Sequence, residues 1–246
     1  MSYQIKKLDF SQIPQLKKLF EAVYDKNSLD LEGLDARFQT AQFGLDCIGY
    51  LAYSTGEDTN VSVPASYYGV FPIIATQSGE NIMCAQSGDT MTHPDHRSRG
   101  LFTKLAKKTY EEANSKGIEF IFGFPSPQSY PGFRHKLNWE FPHNMLKFKR
   151  TVPTIPIGII KKRLRMKVGN FNGLVNRFIE AKKLSSQMVN NAWFFNNKEV
   201  LEILRDKTFW NYKNSLISNK IFIECHGIGA LLKFDGNISI GNFTGD

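Results

Sequence analysis

Residues 88–102, Gly88-Asp-Thr-Met-Thr-His-Pro-Asp-His-Arg-Ser-Arg-Gly-Leu-Phe102, lead from the end of a strand into the start of a helix. The first amides of a helix have no partner inside it and lie at the positive end of the helix dipole. Gly100 lets the backbone approach a diphosphate closely, and Arg97 and Arg99 add positive charge. The stretch therefore predicts an anion-binding site; the alternative is a tight loop with a solvated basic rim. It is not a P-loop, because no Gly-Lys-Ser/Thr follows.

The residues before this stretch predict a strand, two helices and then three strands. Residues 3–9 alternate like a strand, and Asp9 opens a helical pattern whose apolar residues share one face. A second helix is predicted at 31–40, followed by strands at 47–53, 65–76 and 81–91. Turn residues separate these three strands, so an antiparallel meander is expected.

The residues after this stretch add a crossover. A helix is predicted at 101–116, ending at Gly117, and a short apolar strand at 118–124. A strand, a helix and a strand in that order place two strands in parallel, so the sheet is mixed and the class is α/β (α+β). Further predicted elements are helices at 129–137 and 194–207 and strands at 139–151, 220–232 and 237–243.

Charge is distributed unevenly along the chain and suggests three segments. Residues 145–184 hold 11 Lys/Arg against 1 Asp/Glu, whereas the whole chain holds 31 against 23. We expect one domain over 1–150, a basic helical connector over 151–190, and a small helix-plus-strands segment over 191–246. The last segment either completes the sheet or begins a second, truncated lobe.

Composition is typical of a folded cytoplasmic protein. The chain is 41% hydrophobic and 22% charged, which argues against disorder. Its three cysteines, Cys47, Cys84 and Cys225, form no CxxC pair, so neither a disulfide framework nor a zinc cluster is expected. The polar N-terminus does not resemble a signal peptide, and no apolar run reaches the ~18 residues of a membrane span.

The stretch around Gly100 resembles the acetyl-coenzyme A binding motif of the GNAT N-acetyltransferase superfamily, Arg/Gln-x-x-Gly-x-Gly/Ala. Arg97-Ser-Arg-Gly-Leu-Phe102 matches this motif, except that Phe102 replaces a small residue. Tyr130-Pro-Gly-Phe-Arg-His-Lys-Leu-Asn-Trp139 is similar to a later helix and turn of the family, Tyr-x-Lys-x-Gly-Phe. The resemblance covers about 150 residues. It implies a mixed, mostly antiparallel sheet with a central, splayed parallel strand pair, flanked by helices.

The resemblance also implies a ligand and a reaction. Acetyl-coenzyme A would be the co-substrate, with no metal. Its diphosphate would bind the backbone amides of the loop, and its pantetheine arm the strand end before it. The implied coenzyme-binding residues are Met91, Thr92, Arg97, Ser98, Arg99, Gly100, Leu101, Phe102 and Ser126. A neutral amine would attack the thioester directly, which requires a base, an oxyanion donor and an acid for the departing thiolate.

The general acid is where this sequence departs from the family pattern. The alignment places Arg134 at the position of the usual tyrosine, and arginine does not donate a proton usefully. Tyr130 lies one helical turn earlier and is the candidate acid; the alternative is that it only packs in its helix. Ser126 and Ser129 either contact the thiolate or simply form a turn.

The general base is less well marked. Asp89 is the candidate base, and His93 and His96 are alternatives. A metal site at these two histidines is disfavoured, because no further ligand lies nearby.

The predicted activity is acetyl transfer from acetyl-coenzyme A to a primary amine of a small-molecule or sugar-like acceptor, which could carry negative charge. Two alternatives differ in class: a GNAT-fold binding or regulatory module without catalysis, and a peripheral membrane protein that uses the basic segment. That segment could also be a solvated connector or an anionic-substrate site. Nucleic-acid binding is not expected, because aromatic residues are not interleaved with the basic ones in a recognised pattern.

Overall fold

The computed structural model describes residues 2–24, 34–55, 63–142 and 200–216, together with three strands within 220–244. The chain divides into two compact units. The first unit comprises Met1–Trp139 and Val189–Ser218, and the second comprises Glu140–Met188 and Asn219–Asp246. The basic segment 145–184 lies outside the described residues.

The first unit contains a six-stranded sheet and five α-helices among its described residues. Its strands are β1 (Ser2–Lys7), β2 (Ile48–Thr55), β3 (Val63–Gln77), β4 (Glu80–Thr92), β5 (Phe120–Gly123) and β6 (Glu202–Ile203). Its helices are α1 (Ile13–Val23), α2 (Leu34–Phe38), α3 (Leu101–Ser115), α4 (Tyr130–Lys136) and α5 (Lys207–Ser215).

The sheet has the order β1-β2-β3-β4-β5. All neighbours from β1 to β4 are antiparallel, and β4 pairs with β5 in parallel. The predicted meander and the predicted parallel pair are therefore confirmed. β3 extends beyond its pairing with β2, and β6 occupies the edge left there, opposite Ala75 and Thr76.

The first helix begins where the sequence predicted. Asp9 accepts the backbone N–H of Ser11, and Gln12 reaches back to the N–H of Asp9, which forms a capping box on a short 3₁₀ turn. Pro14 then lies in the first turn of α1, where a missing N–H costs nothing. The apolar face of α1 packs on the sheet and contributes four buried side chains: Ile13, Leu16, Leu19 and Phe20.

Two adjacent tyrosines of β3 mark the two faces of the sheet. Tyr67 lies in the core with α1 and α2, and Tyr68 faces α3, because successive residues of a strand point to opposite faces. On the α3 face, Glu112 anchors the helix to the edge of the sheet. It forms an ion pair with Lys7 of β1 and accepts the Tyr50 hydroxyl of β2 at 2.6 Å. This hydrogen bond to a carboxylate, together with partial burial, raises the pKa of Tyr50 to about 12.

The C-terminal part differs from prediction in two places. The helix predicted over 194–207 is wrong for residues 200–206, which contain β6; the helix begins at Lys207. Asp206 sets this start because its carboxylate accepts the N–H of Phe209. Likewise, Trp139 to Pro142 are not in a strand, and the rest of the strand predicted over 139–151 lies outside the described residues.

The described part of the second unit is a three-stranded antiparallel sheet. Its strands are β7 (Lys220–Cys225), β8 (Ile228–Phe234) and β9 (Ile238–Thr244). The single strand predicted over 220–232 is thus two strands. Among all the described residues, no helix has the length and apolar character required to cross a membrane.

The Tyr67 side chain lies flat over two glycines of the sheet. A Cβ atom added at Gly69 would lie 1.9 Å from the Tyr67 Oη and 2.6 Å from its Cζ. One added at Gly49 would lie 2.9 Å from the Tyr67 Cε2. The ring is 1% exposed, so it cannot move aside into solvent. Glycine is therefore required at 69 by close approach.

We expect Gly69→Ala to lower the free energy of unfolding by about 2 kcal/mol, because overpacking forces the buried ring to shift. Urea unfolding measures this change. In a Tyr67→Ala background the same substitution should cost much less, which a double-mutant cycle detects. Equal costs in the two backgrounds would show that the ring is not the obstacle.

Candidate functional site

A β-bulge interrupts β4 just before the stretch identified from the sequence. Tyr67 pairs with Met91 and Gly69 pairs with Gly88, so Asp89 and Thr90 together oppose the single residue Tyr68. Asp89 has a φ of 54°, in the left-handed region. A bulge bends its strand and increases the local twist. The last part of β4 is therefore redirected at this point.

β4 and β5 separate at the same level. Their parallel pairing runs from Cys84 and Phe120 to Ser87 and Gly123, where β5 ends. Beyond Ser87, the outer edge of β4 has no strand partner among the described residues. His93 gives its backbone N–H to Ala65 of β3, at 2.9 Å. Because neighbouring residues of a strand alternate in direction, the N–H of Thr92 points to the open edge.

The loop after β4 leads directly to the N-terminus of α3. Pro94–His96 form a 3₁₀ turn, Ser98 has a φ of 59°, and Gly100, with a φ of 72°, is the N-cap of the helix. No side chain caps α3, and the first helical hydrogen bond comes from the N–H of Lys104. A Cβ atom at Gly100 would meet nothing within 4 Å. The N–H groups of Leu101 and Phe102 come before the first helical hydrogen bond, the space beside Gly100 is open, and Arg97 and Arg99 are exposed.

Phe102, the residue that departs from the motif, packs over a glycine of α4. A Cβ atom at Gly132 would lie 3.1 Å from the Phe102 Cε1. The Phe102 ring also contacts Tyr68 and Phe133, with centroid distances of 5.5 and 5.2 Å. The large side chain thus fits between α3 and α4, and its backbone N–H stays at the start of the helix.

A chain of hydrogen-bonded side chains lies under the point where the strands separate. Ser87 donates to the Tyr68 hydroxyl at 3.0 Å, the Tyr68 and Tyr110 hydroxyls are 2.6 Å apart, and the Trp139 indole donates to Tyr110 at 2.9 Å. Burial raises the pKa of both tyrosines, so their hydroxyls stay protonated. A Cβ atom at Gly123 would lie 3.3 Å from the Trp139 ring. This series of hydrogen bonds therefore holds the indole against the end of β5.

The predicted acid, Tyr130, is the first residue of α4. It is partly exposed, and its hydroxyl accepts a hydrogen bond from Arg134 at 3.4 Å. The two side chains thus share one helix face, as their spacing predicted. Ser126 forms the turn before α4: its carbonyl accepts the N–H of Tyr130 at 2.9 Å, and its hydroxyl lies 3.1 Å from that of Ser129.

The predicted base, Asp89, lies towards α2. The Arg37 Nη1 donates to both carboxylate oxygens of Asp89, at 2.8 and 2.9 Å. Arg37 was not identified from the sequence, because 52 residues separate it from Asp89 and no local pattern marks it. Asp89 is thus engaged from α2, whereas Tyr130 lies in α4 with Arg134 as a hydrogen-bond partner.

The remaining residues of the stretch contribute in different ways. Met91 is 5% exposed in the core, and its carbonyl accepts the Ser66 hydroxyl at 3.0 Å. The Thr92 hydroxyl lies 2.8 Å from the same hydroxyl. The Met91 side chain is thus buried in the core and the Thr92 hydroxyl is turned towards β3. At this end of β4, it is therefore the backbone that lies at the edge left open by β5.

The two histidines of the loop have structural partners. The Nδ1 of His96 lies 3.0 Å from the Tyr3 hydroxyl of β1, and the Nδ1 of His93 accepts the N–H of Asp95 at 3.3 Å. Burial and the neighbouring His93 lower the pKa of His96, so its ring is neutral at neutral pH. Within the described ranges, no group of three or more His, Cys, Asp or Glu residues could hold a metal ion.

The comparisons with known proteins give the family. Residues 4–141 match the model of an acetyltransferase (GNAT) domain, which is more than half of the chain. The chain therefore belongs to the GNAT acetyltransferase family and is an acyltransferase enzyme. No curated protein matches the chain.

The chain is also similar, at low identity, to solved structures of acetyltransferases. An aminoglycoside acetyltransferase from an uncultured soil metagenomic sample, in complex with sisomicin, is 18% identical, with a TM-score of 0.45 over 61% of this chain and 97% of its own. Glucosamine-6-phosphate N-acetyltransferase from Arabidopsis thaliana is 17% identical, with a TM-score of 0.44 over 60% of this chain and 99% of its own. A Trypanosoma brucei acetyltransferase is 16% identical, with a TM-score of 0.44 over 61% and 100%. Similarities at this level carry no argument about the substrate.

We expect Tyr110→Phe to lower the free energy of unfolding by about 1–3 kcal/mol, because it removes the shared partner of the Trp139 indole and the Tyr68 hydroxyl. Chemical denaturation followed by tryptophan fluorescence measures the change. Tyr53→Phe is the matched control, since the structure gives the Tyr53 hydroxyl no hydrogen bond among the described residues. Similar stability of the Tyr110→Phe variant and the wild type would show that the chain of hydroxyls does not stabilise the fold.

Proposed function

We propose that the chain transfers an acetyl group from acetyl-coenzyme A to a primary amine of a small-molecule or sugar-like acceptor. The observation that carries the proposal is the open edge of β4 leading directly into the uncapped N-terminus of α3. A thioester on a long polar arm with a diphosphate matches this arrangement, because the edge offers amides to the arm and the helix offers amides to the diphosphate.

The coenzyme would bind mainly through the backbone. The amides from Ser98 to Phe102, including those of Arg99, Gly100 and Leu101, would hold the diphosphate, and the exposed side chains of Arg97 and Arg99 would add charge. The N–H of Arg97 itself donates to the Pro94 carbonyl at 3.3 Å. The backbone of Met91 and Thr92 would hydrogen-bond the pantetheine arm. Ser126 would contact the coenzyme from the turn before α4. No metal is needed for this binding.

The chemistry would be direct attack. The nitrogen of the neutral amine forms a bond to the thioester carbon, the carbon–sulfur bond breaks, and the thiolate leaves. The amine loses one proton and the thiolate gains one, so a base and an acid are both required. Asp89 would take the proton from the amine, and Tyr130 would protonate the thiolate. Arg37 engages Asp89 through a single nitrogen, which leaves carboxylate lone pairs for the amine.

The domain assignment stays part of the proposal. Residues 1–150 would form the catalytic domain, 151–190 a basic connector, and 191–246 a C-terminal segment. Of the last segment, β6 and α5 fall in the first unit and β6 extends its sheet, which favours completion of the sheet for these residues. The free thiols of Cys47 and Cys84 support a cytoplasmic location.

We expect acetyl-coenzyme A to bind the purified chain in a calorimetric titration. Changing both Arg97 and Arg99 to Ala should weaken its binding about tenfold or more, because charge-assisted contacts to the diphosphate are lost. The control removes two exposed cations outside the loop, Lys18→Ala in α1 with Lys107→Ala beyond the first turn of α3, and should leave the affinity unchanged. No binding by the wild-type chain would refute the proposed co-substrate.

We expect Tyr130→Phe to lower kcat about a hundredfold and to leave the affinity for acetyl-coenzyme A unchanged, because only proton transfer to the thiolate is lost. Release of coenzyme A thiol measures turnover. An unchanged kcat would exclude Tyr130 as the acid. A chain that binds the coenzyme but transfers no acetyl group to any amine would instead be a binding module.

A further inference from the structure

The helix α5 belongs to the first unit, although it lies outside residues 4–141 that match the family. It packs against α2 through Tyr212. The Tyr212 hydroxyl donates to the backbone carbonyl of Arg37 at 2.8 Å, and the Tyr212 ring meets that of Phe43 edge-on at 5.3 Å. Tyr212 is 7% exposed, so the anchor is buried. The same Tyr212 ring, bonded to α2 through its hydroxyl, has the Nζ of Lys213 5.6 Å from its centroid.

Lys213 is a cation that has no anionic partner in the part of the chain that the structure describes. Its side chain is partly buried, and its Nζ lies 5.6 Å from the ring centroids of Phe209 and Tyr212. No carboxylate of a described residue forms an ion pair with it. Burial and the positive charge of Arg37 lower the pKa of Lys213. Its ammonium thus lies beside two aromatic rings, one of which, Tyr212, is bonded to the Arg37 backbone.

Arg37 has further N–H groups that form no hydrogen bond with described residues. Its Nη1 serves both oxygens of Asp89, while its Nη2 and Nε make no hydrogen bond with described residues. The side chain of Arg37 is 32% exposed and that of Asp89 18%. Among the described residues, Arg37 and Lys213 are thus two partly buried cations and Asp89 is the one carboxylate paired with either of them. A partly buried positive charge is costly unless an anion compensates it, and a guanidinium with an ammonium suits a carboxylate or a phosphate.

We propose that Arg37 and Lys213 bind an anionic group of the acetyl acceptor, so that the substrate is an amine carrying a carboxylate or a phosphate. This inference rests on the proposed function, because Asp89, the proposed base, is held by Arg37 in the same cluster. The anionic end of the acceptor binds the two cations, and its amine reaches the open edge of β4. The specificity residue Lys213 is then supplied by a helix outside the part of the chain that matches the family.

The test compares two pairs of amines that differ only in an anionic group. Glucosamine and glucosamine 6-phosphate probe phosphate, and γ-aminobutyramide and γ-aminobutyrate probe carboxylate. Each is titrated calorimetrically into the full chain, with and without saturating coenzyme A. We expect the anionic member of at least one pair to bind about tenfold or more tightly, the effect of one charge-assisted hydrogen bond. The pair that responds identifies the anion.

Variants of α5 connect any preference to Lys213. Lys213→Met keeps the apolar stem and should abolish the preference, whereas Lys213→Arg keeps the charge and should retain it. Lys207→Met is the matched control, because Lys207 is exposed at the start of the same helix, and it should behave as wild type. Unchanged unfolding midpoints show that the variants fold.

Two results overturn the inference: equal binding, or no binding, of both members in both pairs, and a preference that survives Lys213→Met. These results are distinguishable from failure of the proposed function. A chain that binds coenzyme A without an anion preference loses the inference and keeps the function. A chain that prefers anions through Lys213 but never binds the coenzyme keeps the cluster and loses the acetyl transfer.

Discussion

β4 carries one residue more than β3 opposite Tyr68, and the local geometry of the site follows from this mismatch. The extra residue places Asp89 at a positive φ and redirects the end of β4 where β5 stops. Two parallel strands that stayed paired would have no free amides to offer. Because the strands separate, the open edge of β4 at Thr92 and the uncapped start of α3 both offer backbone donors, whereas the N–H groups of Asp95, His96 and Arg97 between them are already hydrogen-bonded.

Tyr67 and Tyr68, the β3 residues opposite the bulge, pack on opposite faces of the sheet. Tyr68 faces α3 and α4 and belongs to the hydroxyl chain that holds Trp139 beside the end of β5. Tyr67 faces α1 and α2 and lies flat over Gly49 and Gly69, close to the Cys47 thiol at 3.7 Å. The coenzyme loop is thus supported from one face, while the Arg37 and Asp89 pair lies on the other. In our proposal the donor and the acceptor approach the same opening from opposite sides.

The sequence predicted the structural elements that depend on neighbouring residues, and it did not predict the side-chain contacts between residues far apart in the chain. The strands, the first helix and the glycine-led loop follow from periodicity, caps and turn residues, all of which act within a few positions. The Arg37 and Asp89 pair and the anchor of α5 join residues 52 and 175 positions apart, and no local pattern encodes them. The helix predicted over 194–207 is wrong at 200–206, because its apolar residues were read without the cap at Asp206, and residues 194–199 lie outside the described ranges. Phe102 stands where the family motif has a small residue, and Gly132 provides the space for its ring.

The late position of α5 in the chain has a consequence for synthesis on the ribosome. The family-matched domain ends at 141, whereas α5 begins at Lys207. At about 5–20 residues per second, translation leaves an interval of several seconds between the two. During that interval the Phe43 ring and the Arg37 carbonyl lack their contacts with Tyr212. A nascent chain stalled before α5 would therefore display the Phe43 ring to chaperones, and a transcript truncated there would yield a domain whose Arg37 carbonyl has lost this hydrogen bond.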